Sequence, residues 1–103
     1  MSKVEIEPLI SLILPVYNEE KCLSAFFTAV DSELSGLKLE LVFVDDGSTD
    51  ATFKLLSEKI DNRIRIIRFS RNFGKEAALT AGLNRCSGDV AIPFDVDLQD
   101  PIE

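Results

Sequence analysis

A chain of 103 residues, 46% apolar and 28% charged, is long enough for one modest core and too apolar for a disordered segment. Its formal net charge of −7 argues against a nucleic-acid partner, because phosphate contacts need a basic surface. No apolar run approaches the roughly eighteen residues of a membrane span, and MSKVEIEPLI lacks a signal-peptide pattern, so the chain as given reads as soluble and cytoplasmic.

The first apolar run is Leu9 to Leu14, closed by Pro15. Leu23, Phe26, Phe27, Val30 and Leu34 then recur at helical spacing, with Gly36 as a stop. A second run, Leu39 to Val44, precedes a segment capped by Ser48 or Asp50 that carries Leu55, Leu56 and Ile60 on one side. The third run is Ile64 to Phe69. After Gly74, the stretch Glu76 to Leu83 is rich in small residues that let a helix pack close to a sheet, and Ser87-Gly88 ends it. Val90 to Phe94 is the fourth run. Short, β-branched runs without strict alternation suit strands buried on both faces. The order β-α-β-α-β-α-β predicts an α/β fold, a Rossmann-like three-layer parallel sheet with right-handed crossovers. Cys22 and Cys86 have no CxxC spacing and no histidine to join them, so they read as reduced, small core residues.

In such a sheet, ligands bind outside the carboxyl ends of the strands. Strand one runs into PVYNEE, strand two into DDGSTD and strand four into DVDLQD, whereas strand three runs into the basic stretch RFSRNFGK. Acids favour helix N-termini, and that alone accounts for Asp50 and Glu20. It does not account for Asp45, Asp46, Asp95 and Asp97 together. Two unit charges about 4 Å apart repel by roughly 1 kcal/mol even in bulk water. A divalent cation relieves that cost, and oxygen-only ligands favour Mg2+ or Mn2+ over zinc. Such ions take one or two carboxylates and complete their shell with phosphates, which Arg71 and Lys75 are placed to meet. The first βα turn has neither GxGxxG nor GxxxxGK[ST], and Glu19 and Glu20 would repel a phosphate there. Nucleoside contact suits it better, with Tyr17 available for stacking.

The runs ILPVYNEE, VFVDDGSTDAT, FSRNFGKEAALTAG and FDVDLQDP resemble the family 2 glycosyltransferases, over nearly the whole chain from Leu9 onward. RNFGKEAALTAG with DVDLQDP is similar to the polyprenyl-phosphate branch, especially bactoprenol-phosphate glucosyltransferases, and also dolichol-phosphate mannose synthases. The resemblance implies a GT-A fold and inverting transfer of a hexose from a nucleotide sugar, UDP-glucose before GDP-mannose, to a polyprenyl phosphate. It implies that Pro15, Tyr17 and Glu19 contact the nucleoside, and that Asp45 and Asp46 read base and ribose. Asp95 and Asp97 would form a DxD motif that, with Gln99, holds the metal against the diphosphate. Arg71 and Lys75 would meet phosphates or serve the structure, with a salt bridge to the acidic rim the plain alternative for Arg71. Asn72, Phe73 and Gly74 read as turn and packing residues.

The resemblance further implies that residues 1–103 are the nucleotide-sugar-binding half of a longer, membrane-associated enzyme of cell-wall or glycolipid biosynthesis. Its catalytic base would lie beyond Glu103, and this half, facing the cytoplasm, would be inactive alone. The strand at 90–94 would then be left at an edge, open to self-association. Competing readings are a non-catalytic nucleotide- or metal-binding module, a phosphoacceptor receiver-like domain and a haloacid-dehalogenase-type phosphatase. In the last two the acidic motif follows the first strand, whereas here the acidic pair follows the second and DxD the fourth.

Overall fold

The computed structural model describes residues 7–59 and 61–97. Seven elements alternate as the periodicities predict: β1 (Ile10–Val16), α1 (Leu23–Glu33), β2 (Leu39–Asp45), α2 (Thr52–Glu58), β3 (Ile64–Arg68), α3 (Lys75–Arg85) and β4 (Val90–Pro93). The strands form one parallel sheet in the order β3-β2-β1-β4. The chain therefore steps outward from β1 through β2 to β3, then crosses back to place β4 on the other side of β1.

Side-chain alternation along the strands divides the core into two layers. Leu12, Leu14 and Val16 of β1 share a face with Leu39, Leu41 and Phe43 of β2, and α1 covers it with Leu23, Phe26, Phe27 and Val30. Leu56 of α2 and Val96 join the same cluster. Phe26 and Phe43 meet edge to face, with ring centroids 6.0 Å apart, a geometry aromatic quadrupoles favour. The opposite face presents Ile13 and Val44 to α3. Here the small residues matter, because a Cβ built on Gly82 would come within 2.5 Å of Ile13 Cγ2. Gly82 and the buried Ala78 let the helix backbone lie close against the sheet.

Three sequence expectations need correction. Only β1 and β2 are buried on both faces. β3 and β4 are edges, and Val90, Ile92 and Phe94 are exposed. Pro15 does not close β1, since pairing with β2 continues through Pro15–Val44 to Val16–Asp45. Phe94 donates its N–H to the Ile13 carbonyl, so odd-numbered residues of β1 direct their polar groups toward β4. Pro15 lacks the N–H that would carry this ladder further, and β1–β4 pairing stops at Ile13–Pro93. The cysteines are free but only half-buried, each beside a helix terminus rather than in the core. Ile60 lies outside the described residues.

Candidate functional site

With β2 on one side of β1 and β4 on the other, the topological switch point falls between β1 and β4. There, beyond the point where Pro15 interrupts the ladder, an open cleft of about 170 Å³ is lined by Pro15, Val16, Tyr17, Glu19, Asp46, Lys75, Asp95, Val96 and Asp97. Loops from β1, β2, β3 and β4 all reach it. Its volume is below the roughly 300 Å³ of a typical small-molecule pocket, so it is one wall of a site rather than an enclosure. A larger groove of about 280 Å³ between α1 and α2 lies apart from this edge, and Lys59 stacks there 4.5 Å over the Phe27 ring.

The β1–α1 and β2–α2 loops are stitched together, as neighbours in a parallel sheet must be when their strands end side by side. Asn18 adopts the left-handed region at φ 53°, which Asn tolerates better than most residues. Its Oδ1 accepts the N–H groups of Thr49 (2.8 Å) and Asp50 (3.3 Å), while its own N–H donates to Ser48 Oγ. The Glu19 N–H donates to Thr52 Oγ1 at 2.8 Å. Asp50 accepts the Thr52 N–H as a helix cap would, at 2.9 Å. Burial works to raise the Asp50 carboxyl, but hydrogen bonds from Thr52 and the Glu20 N–H hold it below the usual carboxylate range. Glu20 does not cap its own helix. Its carboxylate crosses to the Ala51 N–H at the start of α2 (2.8 Å).

Asp45 and Asp46 are both buried, at 0% and 4% exposure, and they differ in their partners. Asp46 is saturated: Oδ1 accepts the Phe73 N–H at 2.7 Å, and Oδ2 accepts the Gly74 N–H at 3.1 Å and Asn72 Nδ2 at 3.2 Å. It thus fixes the β3–α3 loop against the end of β2. Asp45 Oδ1 accepts the Ser48 N–H, but Oδ2 is buried without a hydrogen-bond partner among the described residues. A buried, unpaired carboxylate oxygen is costly, and it is an acceptor held ready for a donor. Gly47 between these loops sits at φ 77°, and a Cβ there would lie 2.4 Å from the Arg71 carbonyl carbon.

Asp95 and Asp97 sit where β4 gives way to a turn. The Asp95 side chain is 61% exposed and pairs with Lys75 Nζ at 3.1 Å. Burial pushes the Glu19 carboxyl up, against a hydrogen bond from the Cys22 thiol, and repulsion from Asp97, Asp95 and Asp50 raises it further. Acids of the first and fourth loops therefore sense one another across the cleft. Burial and the Glu19 charge also push the Cys22 thiol up, away from the thiolate form.

Among the described residues, no group of three or more His, Cys, Asp or Glu converges to hold a metal alone. One exposed and one half-buried carboxylate on a cleft fit a hard cation that draws its other ligands from water and phosphate. They do not fit a closed structural zinc site.

The structure brings Pro15, Tyr17, Glu19, Asp46, Lys75, Asp95 and Asp97 to one cleft, as the sequence suggests. Asp45 lies just behind it. Arg71 is different: its guanidinium stacks 4.4 Å over the Phe73 ring, and no described carboxylate forms a salt bridge with it. Gln99 lies outside the described residues. Sequence reasoning missed the framing roles of Asn18 and Gly47. The signals were an Asn in a tight βα turn and a Gly directly after paired acids.

The family model described as "Glycosyl transferase family 2" matches residues 11–103. The chain is 49% identical over 98 residues to a bactoprenol glucosyl transferase of Shigella phage SfV, covering 91% of this chain and 32% of that protein. It is 40% identical over 99 residues to an undecaprenyl-phosphate 4-deoxy-4-formamido-L-arabinose transferase of Pseudomonas fluorescens, covering 91% of this chain and 29% of that protein. It thus spans about a third of the length of the curated relatives it matches. Among solved structures it superposes on a mannosyltransferase of Pyrobaculum calidifontis in complex with GDP-Man and Mn2+, with TM-score 0.77 and 25% identity over 94% of this chain and 30% of that one. S. aureus TarS 1–349 in complex with UDP-GlcNAc gives TM-score 0.74 at 25% identity, over 85% of this chain and 26% of that one. The sheet and its helices are those of GT-A glycosyltransferase structures, and the chain belongs to glycosyl transferase family 2.

Proposed function

We propose that residues 1–103 form the donor-binding part of a hexosyltransferase that moves a sugar, with inversion, from a nucleotide diphosphate to a polyprenyl phosphate. The observation that carries this reading is the meeting of exposed Asp95 and half-buried Asp97 at one switch-point crevice, with the buried, unsatisfied Asp45 oxygen on the strand residue paired to its Val16 wall. Asp45 Oδ2 is an acceptor for the nucleoside's N–H or hydroxyl donors, held in place by the Ser48 N–H. Tyr17, 44% exposed on the cleft wall with Pro15, offers a flat apolar surface to the base, and Glu19 offers a further acceptor. Asp46 orients the loop that delivers Lys75, so its part in recognition is indirect.

Asp95 and Asp97, joined by Gln99, would hold Mg2+ or Mn2+. Such an ion, when bound, supplies charge neutralisation to the departing nucleotide diphosphate. The bactoprenol and undecaprenyl-phosphate relatives support a lipid phosphate acceptor and hence a membrane-associated parent, this part facing the cytoplasm. No helix among the described residues is long and apolar enough to cross a membrane. On this reading the catalytic base and acceptor site belong to the parts of the relatives that this chain does not span, and the chain alone binds donor without transferring sugar. UDP-glucose is the favoured donor because the bactoprenol glucosyl transferases share about half of these residues. Self-association through 90–94 is less favoured than the exposed apolar side chains suggest. Phe94 turns its N–H inward to β1, so Pro93 presents its missing N–H to the outer edge.

Calorimetry with UDP-glucose, GDP-mannose and acetyl phosphate, each with and without Mn2+, tests the proposal. Binding of UDP-glucose that needs Mn2+ is expected. Equal binding of all three, or binding indifferent to metal, would contradict it.

A further inference from the structure

The contact between Lys75 and Asp95 bears on how metal and donor come to occupy the cleft together, given the donor-and-metal reading above. Lys75 is the first residue of α3, and Asp95 follows β4, so the pair ties the start of the helix to the end of the strand that follows it. Their charged atoms are 3.1 Å apart and both side chains are more than half exposed, at 63% and 61%. An exposed pair of this kind is weak and breaks readily. A divalent ion at Asp95 carries twice the charge of the ammonium and repels it, so the two compete for that carboxylate.

Once released, Lys75 does not gain Asp46, a carboxylate of the same cleft that already accepts three N–H donors from residues 72–74. The flexible lysine stem leaves the ammonium free to turn toward an incoming anion.

We propose that Lys75 is an exchangeable counterion. It neutralises Asp95 until a divalent cation takes its place, then turns to the donor diphosphate, so that metal and nucleotide bind with positive coupling. Such coupling is a reciprocal free energy between two ligands, here carried by one side chain that changes partners.

Lys75→Met then has effects of opposite sign. Mn2+ alone binds about two- to fivefold more tightly, because its competitor for Asp95 is gone, while the gain in Mn2+ affinity conferred by saturating UDP shrinks by a similar factor. The experiment is calorimetric or paramagnetic-resonance titration of Mn2+ into wild type, Lys75→Met and Lys75→Arg, with and without UDP. Circular dichroism confirms the fold of each variant. Lys75→Arg should behave as wild type. Lys21→Met, which removes an exposed cation from the first acidic loop, should leave Mn2+ affinity unchanged and so separate ion exchange from a general field effect.

Unchanged or weaker Mn2+ binding by Lys75→Met, or an equal gain in Lys21→Met, overturns the exchange while leaving the metal site standing. Absence of Mn2+ binding to wild type, with or without UDP, overturns the metal reading itself and the exchange with it.

Discussion

Two pairs of aspartates stand at the carboxyl edge of one sheet and live under opposite conditions. Asp45 and Asp46, after β2, are sealed from solvent and wired into neighbouring backbone. Asp95, after β4, is open to water and held by a single flexible lysine. The difference follows from topology: β2 is flanked by two strands and covered by helices on both faces, whereas β4 is an edge. The first pair is a rigid frame with one acceptor to spare. Asp95 is held by one exposed ion pair, whose loss costs the fold little.

Breaking the frame should have the largest effect. Asp46→Ala removes the carboxylate to which the part-buried N–H groups of Phe73 and Gly74 donate, at about 1.5–3 kcal/mol for each hydrogen bond to a charged group. A loss of about 3 kcal/mol in urea unfolding is expected, and a loss below about 0.5 kcal/mol would show that the loop holds itself. Gly47→Ala comes next, at about 2 kcal/mol. It places a Cβ against the Arg71 backbone in a left-handed conformation, and thermal unfolding measures it.

A third contrast lies at the opposite end of the sheet. Asp61 accepts hydrogen bonds from the Arg63 guanidinium and N–H, which lower its pKa from 3.8 to about 2. Because the folded value lies below the unfolded one, this pair contributes stability above about pH 4. That contribution is lost as pH falls through the folded value of about 2. Asp61→Asn should remove that portion of the acid dependence and leave the rest of the pH profile unchanged. Persistence of the full dependence would relocate it to other acids. The smallest effect on stability belongs to Asp95→Asn, within about 0.5 kcal/mol, since exposed ion pairs contribute little. A larger loss would make Asp95 part of the frame and erase the distinction between the two pairs.

The alternation of strands and helices was legible in the sequence because it rests on local periodicity. So was the gathering of acids, because a parallel sheet sends every βα loop to the same edge. What could not be read locally was partnership. Nothing in VDDGSTD says that Asp46 will accept from the N–H groups of Phe73 and Gly74 while Asp45 keeps an oxygen unpaired. Glu20 was read as an acid favoured by its own helix's N-terminus, and its carboxylate serves the next helix, because adjacency of β1 and β2 is a tertiary fact. Pro15 looked like a strand end. Only the strand order reveals that its missing N–H interrupts pairing with β4 alone, at the place where the cleft begins. Arg71 was read by charge as a phosphate partner or a structural residue, and charge alone could not say that its guanidinium stacks over the Phe73 ring.

The distinction between a framing pair and an exchanging pair meets its most direct test in UDP binding by the Asp95→Asn/Asp97→Asn double variant, titrated calorimetrically with and without Mn2+. Folding should be retained, with the manganese-dependent part of UDP affinity abolished. If the double variant takes up UDP with undiminished manganese dependence, the carboxylates that follow β4 are not where the cation acts.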